Sequence, residues 1–472
     1  MCGRLVKPPT SGMLRWCAGV CAQTPLLDAT RGPADDSASA CVPAGAKAAA
    51  RHPRQQSPSG PSAHAEDAGL RPLTLDRHLG TPAVVAGLAL AVALLVSFAV
   101  LVNPFDFSVY RWGGEAVTHG LELYGGKVAA HWFTYPPFAA VVFIPVEAIP
   151  DVAGRVAWEL LSLLGLAGAS TLTMKLAGYR PNWQVIVAVT VVSITLEPVY
   201  HTFYLGQINL LLMALVLADI WRTSRGRPAG IGIGVAAAIK LTPLIFIPLL
   251  FLARRTRDGI TATVAFLGCG VLGYLTGPGD SRLYWHELFD DTLRVGASYI
   301  SNQSPYAAAI RIAGGPQFVG LWYDAIPVVL GIVGLIVAAV LARSDDWLGA
   351  AATTGITGLL VSPISWTHHW VWILPALVVM LRGGSRSRIA AALTYLLFVI
   401  APMWFTPYHG GPAEFGFHWL ATAFANSYLI AGLAFLGYMG WRAHLVARGR
   451  STGEPTEPAR LAEPAAASRV DA

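Results

Sequence analysis

Asp106 is the first acidic residue after a long uncharged apolar run, and it opens a segment crowded with Tyr, Trp, His and Gly, NPFDFSVYRWGGEAVTHGLELYGGKVAAHWFTYPP. A carboxylate at the mouth of a membrane helix can act as a general base if it reaches a substrate hydroxyl. The alternative for a lone Asp is a helix cap, or a charge solvated just outside a span. Tyr110 follows one helical turn later and Tyr135 precedes two prolines. Aromatic faces beside polar groups suit sugar recognition, and they also suit an interfacial belt.

Four further groups of residues have side chains that could do chemistry. Glu197 is followed by Gln207 and Asn209 at the end of an apolar run, where amides line a cavity or bond a neighbouring helix. Lys240 stands inside AAAIKLTPLIFIPLL. An intramembrane cation calls for an anion, which here is either a structural carboxylate (Asp219 or Glu197) or a bound phosphate. Asn302 and Gln303 in SNQSP precede Arg311, whose planar fork suits phosphate. Trp366, His368 and His369 lie in SPISWTHHWVW. Adjacent His residues point to different helix faces and do not make the i, i+3 or i, i+4 spacing of a metal pair. Donating to phosphate or handling a proton suits them better, with an interfacial His/Trp cluster as the structural alternative.

These side chains must be positioned by membrane helices. Of 472 residues, 54% are hydrophobic and 13% charged, with mean hydropathy +0.52. Soluble domains carry about 25% charged residues, so the chain reads as polytopic and all-α, with about 10–12 helical membrane segments. The net charge of +6 is not a nucleic-acid signature, because the arginines gather at the ends of apolar runs.

Residues 1–75 read as a disordered cytoplasmic tail and 443–472 as another, with a membrane domain over 76–442. The first span, Pro82–Val102, follows Arg71 and Arg77, which puts residues 103–135 in a first outer loop. A second outer loop covers 278–317. One of the stretches 136–150 and 183–197 must fail to span fully, because Arg222, Arg225 and Arg227 mark an inner end. Residues 228–253 read as a broken helix around Lys240 and Pro243. Cys17 and Cys21 lack partners at metal-ligand spacing, so no metal is expected. There is no phosphate-binding Walker loop, no dinucleotide fingerprint and no DXD-type pair in the outer loops. A soluble nucleotide-sugar donor is therefore not expected, and an activated group must come from the membrane.

Asp-x-x-x-Tyr after the first span, LYGG, FTYPP, GQINLLL, AIKLTPL, SNQS and SPISWTHHWVW occur in that order. The set resembles the polyprenol-phosphate-mannose-dependent α-(1→2)-mannosyltransferases of actinobacteria, glycosyltransferase family 87, of GT-C architecture. The resemblance implies a plasma-membrane enzyme with an outward-facing site and no cofactor. Its donor is a polyprenyl-phosphate-mannose and its acceptor a mannosylated lipoglycan: a phosphatidylinositol mannoside, lipomannan or lipoarabinomannan. It puts Asp106 at the place of the family's catalytic aspartate. Lys240, Arg311, His368 and His369 fall at motif positions expected around the donor phosphate and sugar. Another polyprenyl-phosphate sugar, such as an arabinosyl donor, is chemically allowed, and a transporter is the reading from a different class.

Overall fold

The computed structural model describes residues 70–73, 80–128, 131–289, 291–407 and 411–449. Contacts divide the chain at Gly60, and the first unit, Met1–Gly60, lies wholly outside the described residues. The expected tail over 1–69, with Cys2, Cys17, Cys21 and Cys41, and the tail beyond 449 also lie outside them. Within the rest the fold is all-α, with short strands of two or three residues.

Helix α1 (Thr81–Leu101) has no charged residue and Pro82 in its first turn, where a missing N–H costs nothing. It buries only a stripe of Val84, Ala91, Leu95 and Ala99. Its other faces show Leu90, Leu94 and Leu101 outward, as a lipid-facing helix does. The first outer segment is largely helical, since α2 runs Phe105–His119 and ends at the left-handed Gly120. A two-stranded ribbon pairs Lys127 with Trp132 and Val128 with His131.

Helix α3 (Pro137–Glu147) packs closely on α2, and a Cβ at Gly114 would come within 2.6 Å of the Phe143 carbonyl. Next come α4 (Asp151–Leu176), α5 (Trp183–Ser193), α6 (Glu197–Leu205) and α7 (Asn209–Ser224). Helices α5 and α6 are bent by 80° at their junction. Both stretches suspected of failing to span are 11-residue helices, about 16 Å long at 1.5 Å per residue, roughly half the hydrocarbon thickness.

The break near Lys240 is as expected. Helix α8 (Ile231–Ile239) stops where Lys240 turns extended (φ −146°, ψ 128°). A 3₁₀ turn over Thr242–Ile245 then leads into α9 (Phe246–Leu252). The chain continues through α10 (Thr256–Thr276), α11 (Pro278–Leu283), α12 (Pro305–Ala313) and α13 (Ala325–Arg343). Helix α14 (Trp347–Val361) is buried on every face from Trp347 to Leu360. Its Ala, Thr and Gly residues let neighbours close around it. After a turn at 367–372 come α15 (Ile373–Leu381), α16 (Ser385–Ile400), α17 (Trp419–Ala425) and α18 (Ser427–Ala447).

Among the described residues, five helices are long and apolar enough to cross a membrane, or six if the α5–α6 pair is one span. Four shorter apolar helices accompany them. The expected 10–12 segments thus comprise, among the described residues, five full-length helices, one bent pair and four shorter apolar helices. Two boundaries also differ from expectation. Arg71–Leu73, assigned to the tail, pairs in parallel with Tyr179–Pro181. Helix α18 continues to Ala447, past the expected boundary at 442.

Candidate active site

Asp106 lies in the first turn of α2, where the helix N-terminus favours negative charge. Tyr110 is one turn further on, buried and stacked on Phe143 at 4.2 Å. Its hydroxyl is 2.9 Å from that of Tyr135. Both phenols donate to Oε1 of Gln207, at 3.0 Å each. Gly206 fixes Gln207 in place: it takes a left-handed conformation (φ 71°) that a side chain resists, and it ends α6. Trp158 holds the Gly206 carbonyl at 2.7 Å.

Gln207, its oxygen occupied by two phenols, also lies beside the Asp106 carboxylate and favours its charged form. Burial pushes Asp106 above the usual carboxylate range. Gln207 and the charges of His131, Lys240 and His201 oppose that rise. Burial likewise pushes both phenols up, which keeps Tyr110 and Tyr135 neutral donors.

Lys240 completes the same cluster from the break after α8. Its Nζ donates to Asn209 Oδ1 at 2.9 Å, reaches His369 Nε2 at 2.9 Å and lies 3.5 Å from Gln207 Oε1. It also sits 5.5 Å from the centre of the Tyr135 ring. Neither carboxylate named as a structural partner takes this role. Asp219 accepts from the Ile233 N–H, and Glu197 accepts from other donors. Asn209 also donates to the His368 carbonyl at 2.8 Å, which ties the HHW turn to α7. His368 is buried, and neither ring nitrogen has a hydrogen-bond partner among the described residues. Asp106, Tyr110, Tyr135, Gln207, Asn209, Lys240, His368 and His369 thus converge from five chain segments.

The remaining candidates are used differently. Arg311 is 2% exposed. Its guanidinium donates to the Asn302 carbonyl at 3.0 Å, to Ser298 and Tyr299 carbonyls at 3.3 and 3.4 Å, and to Asn426 Oδ1 at 2.6 Å. Burial lowers it to about 10, opposed by Glu414. A fork committed to backbone carbonyls clamps a loop rather than facing a donor phosphate. Asn302 donates to the Ala297 and Pro363 carbonyls and accepts from the Ser304 and Ser365 N–H groups. Gln303 donates to the Ile300 and Ala425 carbonyls and accepts from the Tyr428 N–H. These amides are consumed in a clasp that holds the 362–369 turn. Trp366 pairs its backbone with Asn302 and sets its ring 6.3 Å from Tyr299, as part of the same clasp.

His201 was not singled out from the sequence. It stands at i+4 from Glu197 on α6, with Nδ1 2.9 Å from Glu197 Oε1 and 2.9 Å from Thr367 Oγ1. A Glu-x-x-x-His spacing on a short helix was the available signal. Among the described residues, no group of three His, Cys, Asp or Glu side chains could hold a metal ion. The arrangement sets a buried carboxylate beside a hydrogen-bonded cationic cluster able to receive an anion.

Residues 133–363 match glycosyltransferase family 87. The polyprenol-phosphate-mannose-dependent alpha-(1-2)-phosphatidylinositol mannoside mannosyltransferase of Mycobacterium tuberculosis is 33% identical, over 68% of this chain and 80% of that protein. The corresponding phosphatidylinositol pentamannoside mannosyltransferase of the same species is 33% identical, over 76% of this chain and 87% of that one. The crystal structure of ArnT from Cupriavidus metallidurans bound to undecaprenyl phosphate aligns at 16% identity with a TM-score of 0.40, over 78% of this chain and 73% of that one. With a third of its residues shared with these enzymes over more than two thirds of its length, the chain belongs to glycosyltransferase family 87.

Proposed function

We propose that this glycosyltransferase moves mannose from a polyprenyl-phosphate-mannose to a mannosyl residue of a phosphatidylinositol mannoside, forming an α-(1→2) bond, with Asp106 as general base. The observation that carries this reading is the convergence of buried Asp106, in the first turn of α2, with the Tyr110–Tyr135–Gln207 cluster and with the Lys240–Asn209–His369 cluster that meets it at Gln207. The donor and acceptor follow the names of the mycobacterial relatives.

In this scheme Asp106 takes the proton of the acceptor 2-OH. The freed oxygen attacks the anomeric carbon of a β-linked mannosyl phosphate. The sugar–phosphate C–O bond breaks, its electron pair leaves with the polyprenyl phosphate, and one displacement inverts the centre. Phosphate leaves readily at neutral pH, so a cation such as Lys240 can replace the general acid a glycosidase needs.

An outward-facing site is supported by where the arginines lie. Asn209 begins α7 and Arg222 is in its last turn. His369 precedes α15, which is followed by Arg382. The site therefore sits at the helix ends opposite the arginine-rich ones, and the positive-inside rule assigns those ends to the cytoplasm.

The test is transfer of labelled mannose from polyprenyl-phosphomannose to a phosphatidylinositol mannoside by purified protein, with linkage analysis of the product. An α-(1→2) product from the wild type, lost in a folded Asp106→Asn variant, supports the reading. Activity only with a different polyprenyl-phosphate sugar, or an active Asp106→Asn enzyme, refutes it.

A further inference from the structure

Arg311 spends its guanidinium on loop carbonyls, but another arginine of the same outer segment does not. Arg294 lies in a 3₁₀ turn over Leu293–Val295, between α11 and α12. Its Cζ sits 3.9 Å from the centre of the Trp132 ring. One N–H, on Nη2, donates to the Tyr124 carbonyl at 3.0 Å. A guanidinium has five N–H donors. Among the described residues the other four have no hydrogen-bond partner, the buried Nε included. A fork set over an indole and held at one corner is oriented before any ligand arrives.

A second cation stands beside it. Lys127 is directly opposite Trp132 in the two-stranded ribbon, so the two side chains leave the same face. Its Nζ is 5.3 Å from the centre of the Trp132 ring. Lys127 is exposed and Trp132 half-buried. The nearby acids bond backbone instead: Asp280 accepts from the Leu123 N–H at 3.2 Å and Asp291 from the Arg294 backbone N–H at 3.1 Å. Among the described residues no carboxylate forms an ion pair with the Arg294 or Lys127 side chain. Two cations around one indole, with their donors unspent and no counter-charge, make a site for an anion.

The ribbon leads straight into the Asp106 site. Trp132 is three residues before Tyr135, at most about 10 Å of chain. Tyr124, whose carbonyl Arg294 holds, donates its hydroxyl to the Tyr135 carbonyl at 2.8 Å. The His131 ring lies 5.3 Å from that of Phe105, the residue before Asp106. In the scheme above Lys240 and His369 face the donor phosphate, and a polyprenyl-phosphate-mannose carries one phosphate. The other substrate with a phosphate is the acceptor, whose phosphodiester joins its inositol to the lipid. The Arg294 fork matches two phosphate oxygens, the Lys127 ammonium adds a point charge, and an indole favours the headgroup region.

We propose that Arg294, Lys127 and Trp132 bind the phosphodiester of the acceptor lipid and so position its mannosyl end against Asp106, an assignment that rests on the acceptor being a phosphatidylinositol mannoside. Wild type, Arg294→Gln and Lys127→Gln are compared in phosphatidylcholine nanodiscs with polyprenyl-phosphomannose as donor. Two acceptors are used: a phosphatidylinositol mannoside, and octyl α-mannoside, which has no phosphate. The readout is the ratio of kcat/KM for the first acceptor to that for the second. Arg294→Gln should lower this ratio by about 10–100-fold, as for a lost charge-assisted hydrogen bond. Lys127→Gln, at an exposed position, should lower it by about 2–5-fold. The loss should appear in KM for the phosphatidylinositol mannoside, with KM for the donor within twofold of wild type. A residue that only held the Tyr124 loop would slow both acceptors alike and leave the ratio where it was.

In parallel, each protein is offered an equal mixture of a phosphatidylinositol mannoside, phosphatidylglycerol and phosphate-free mannosyl-diacylglycerol, and the retained lipids are counted by native mass spectrometry. Wild type should retain the phosphatidylinositol mannoside over both others, and Arg294→Gln should retain it no better than mannosyl-diacylglycerol. An unchanged kcat/KM ratio in Arg294→Gln, or a raised donor KM, overturns the site. Equal retention of phosphatidylglycerol by wild type, lost in Arg294→Gln, makes it a patch for any anionic lipid and overturns it as well. If wild type transfers no mannose to the phosphatidylinositol mannoside, the acceptor reading fails, and lipid retention, which needs no turnover, decides the phosphodiester site alone.

Discussion

Nζ of Lys240 lies 2.9 Å from Nε2 of His369. An ammonium only donates, so the imidazole nitrogen facing it is the acceptor. Asn209 takes a second donor and Gln207, at 3.5 Å, holds a third only loosely. That loosely held N–H is the one an incoming phosphate oxygen would capture. Lys240→Met is therefore expected to lower kcat by about 10²–10³-fold, as for other lost charge-stabilising donors. Lys240→Arg should not restore it, because a planar fork does not replace a point charge with three rotatable donors. Initial rates on monodisperse protein check this, and a Lys240→Met enzyme within threefold of wild type would sink the role.

Arg311 separates a structural role from a catalytic one. Its guanidinium ties Ser298, Tyr299 and Asn302 carbonyls to Asn426. Arg311→Met should destabilise the protein by about 2–3 kcal/mol, since a charged donor is lost and its acceptors stay buried. Activity per folded molecule should hold near wild type. A normal melting temperature with lost turnover would instead return Arg311 to the donor site.

Asp106 gives two linked pH predictions. Burial raises its folded pKa above the unfolded value. The folded state then holds the proton more tightly, so stability is lost as pH rises from the unfolded pKa through the folded one. Asp106→Asn should thus melt higher than wild type near neutral pH and equally at low pH. Activity needs the ionised form and should fall on the acid side at a pH above that of an ordinary carboxylate. Removing the Gln207 amide that favours the charged form, with Gln207→Leu, should move that limb to still higher pH. Melting curves and kcat–pH profiles test both.

Glu159 offers a test of the membrane interior. It is 1% exposed in α4, and neither carboxyl oxygen has a hydrogen-bond partner among the described residues. Glu159→Leu should raise stability by about 1–3 kcal/mol, the cost of leaving a buried polar group unpaired. A lower melting temperature would mean that the carboxyl has a partner, such as a lipid headgroup or water.

Much of this protein was legible in the chain itself. A low charge fraction and long apolar runs determine a helical membrane protein, because backbone groups in lipid must be satisfied within the segment. A lysine and a proline inside one apolar run mark a break, and Lys240 does sit in an extended link between two short helices. The ordered motifs identified the family.

Only the tertiary structure decided which polar residues share a site. Asp106 and Lys240 are 134 positions apart, and they come together around a Gln207 side chain that follows a left-handed glycine. Arg311, Asn302 and Gln303 have the residue types of a phosphate or sugar site, yet their hydrogen bonds are spent on loop carbonyls and N–H groups. Residue type sets what a side chain can donate or accept. Whether a ligand or a backbone group receives that bond depends on long-range packing, which local sequence does not encode.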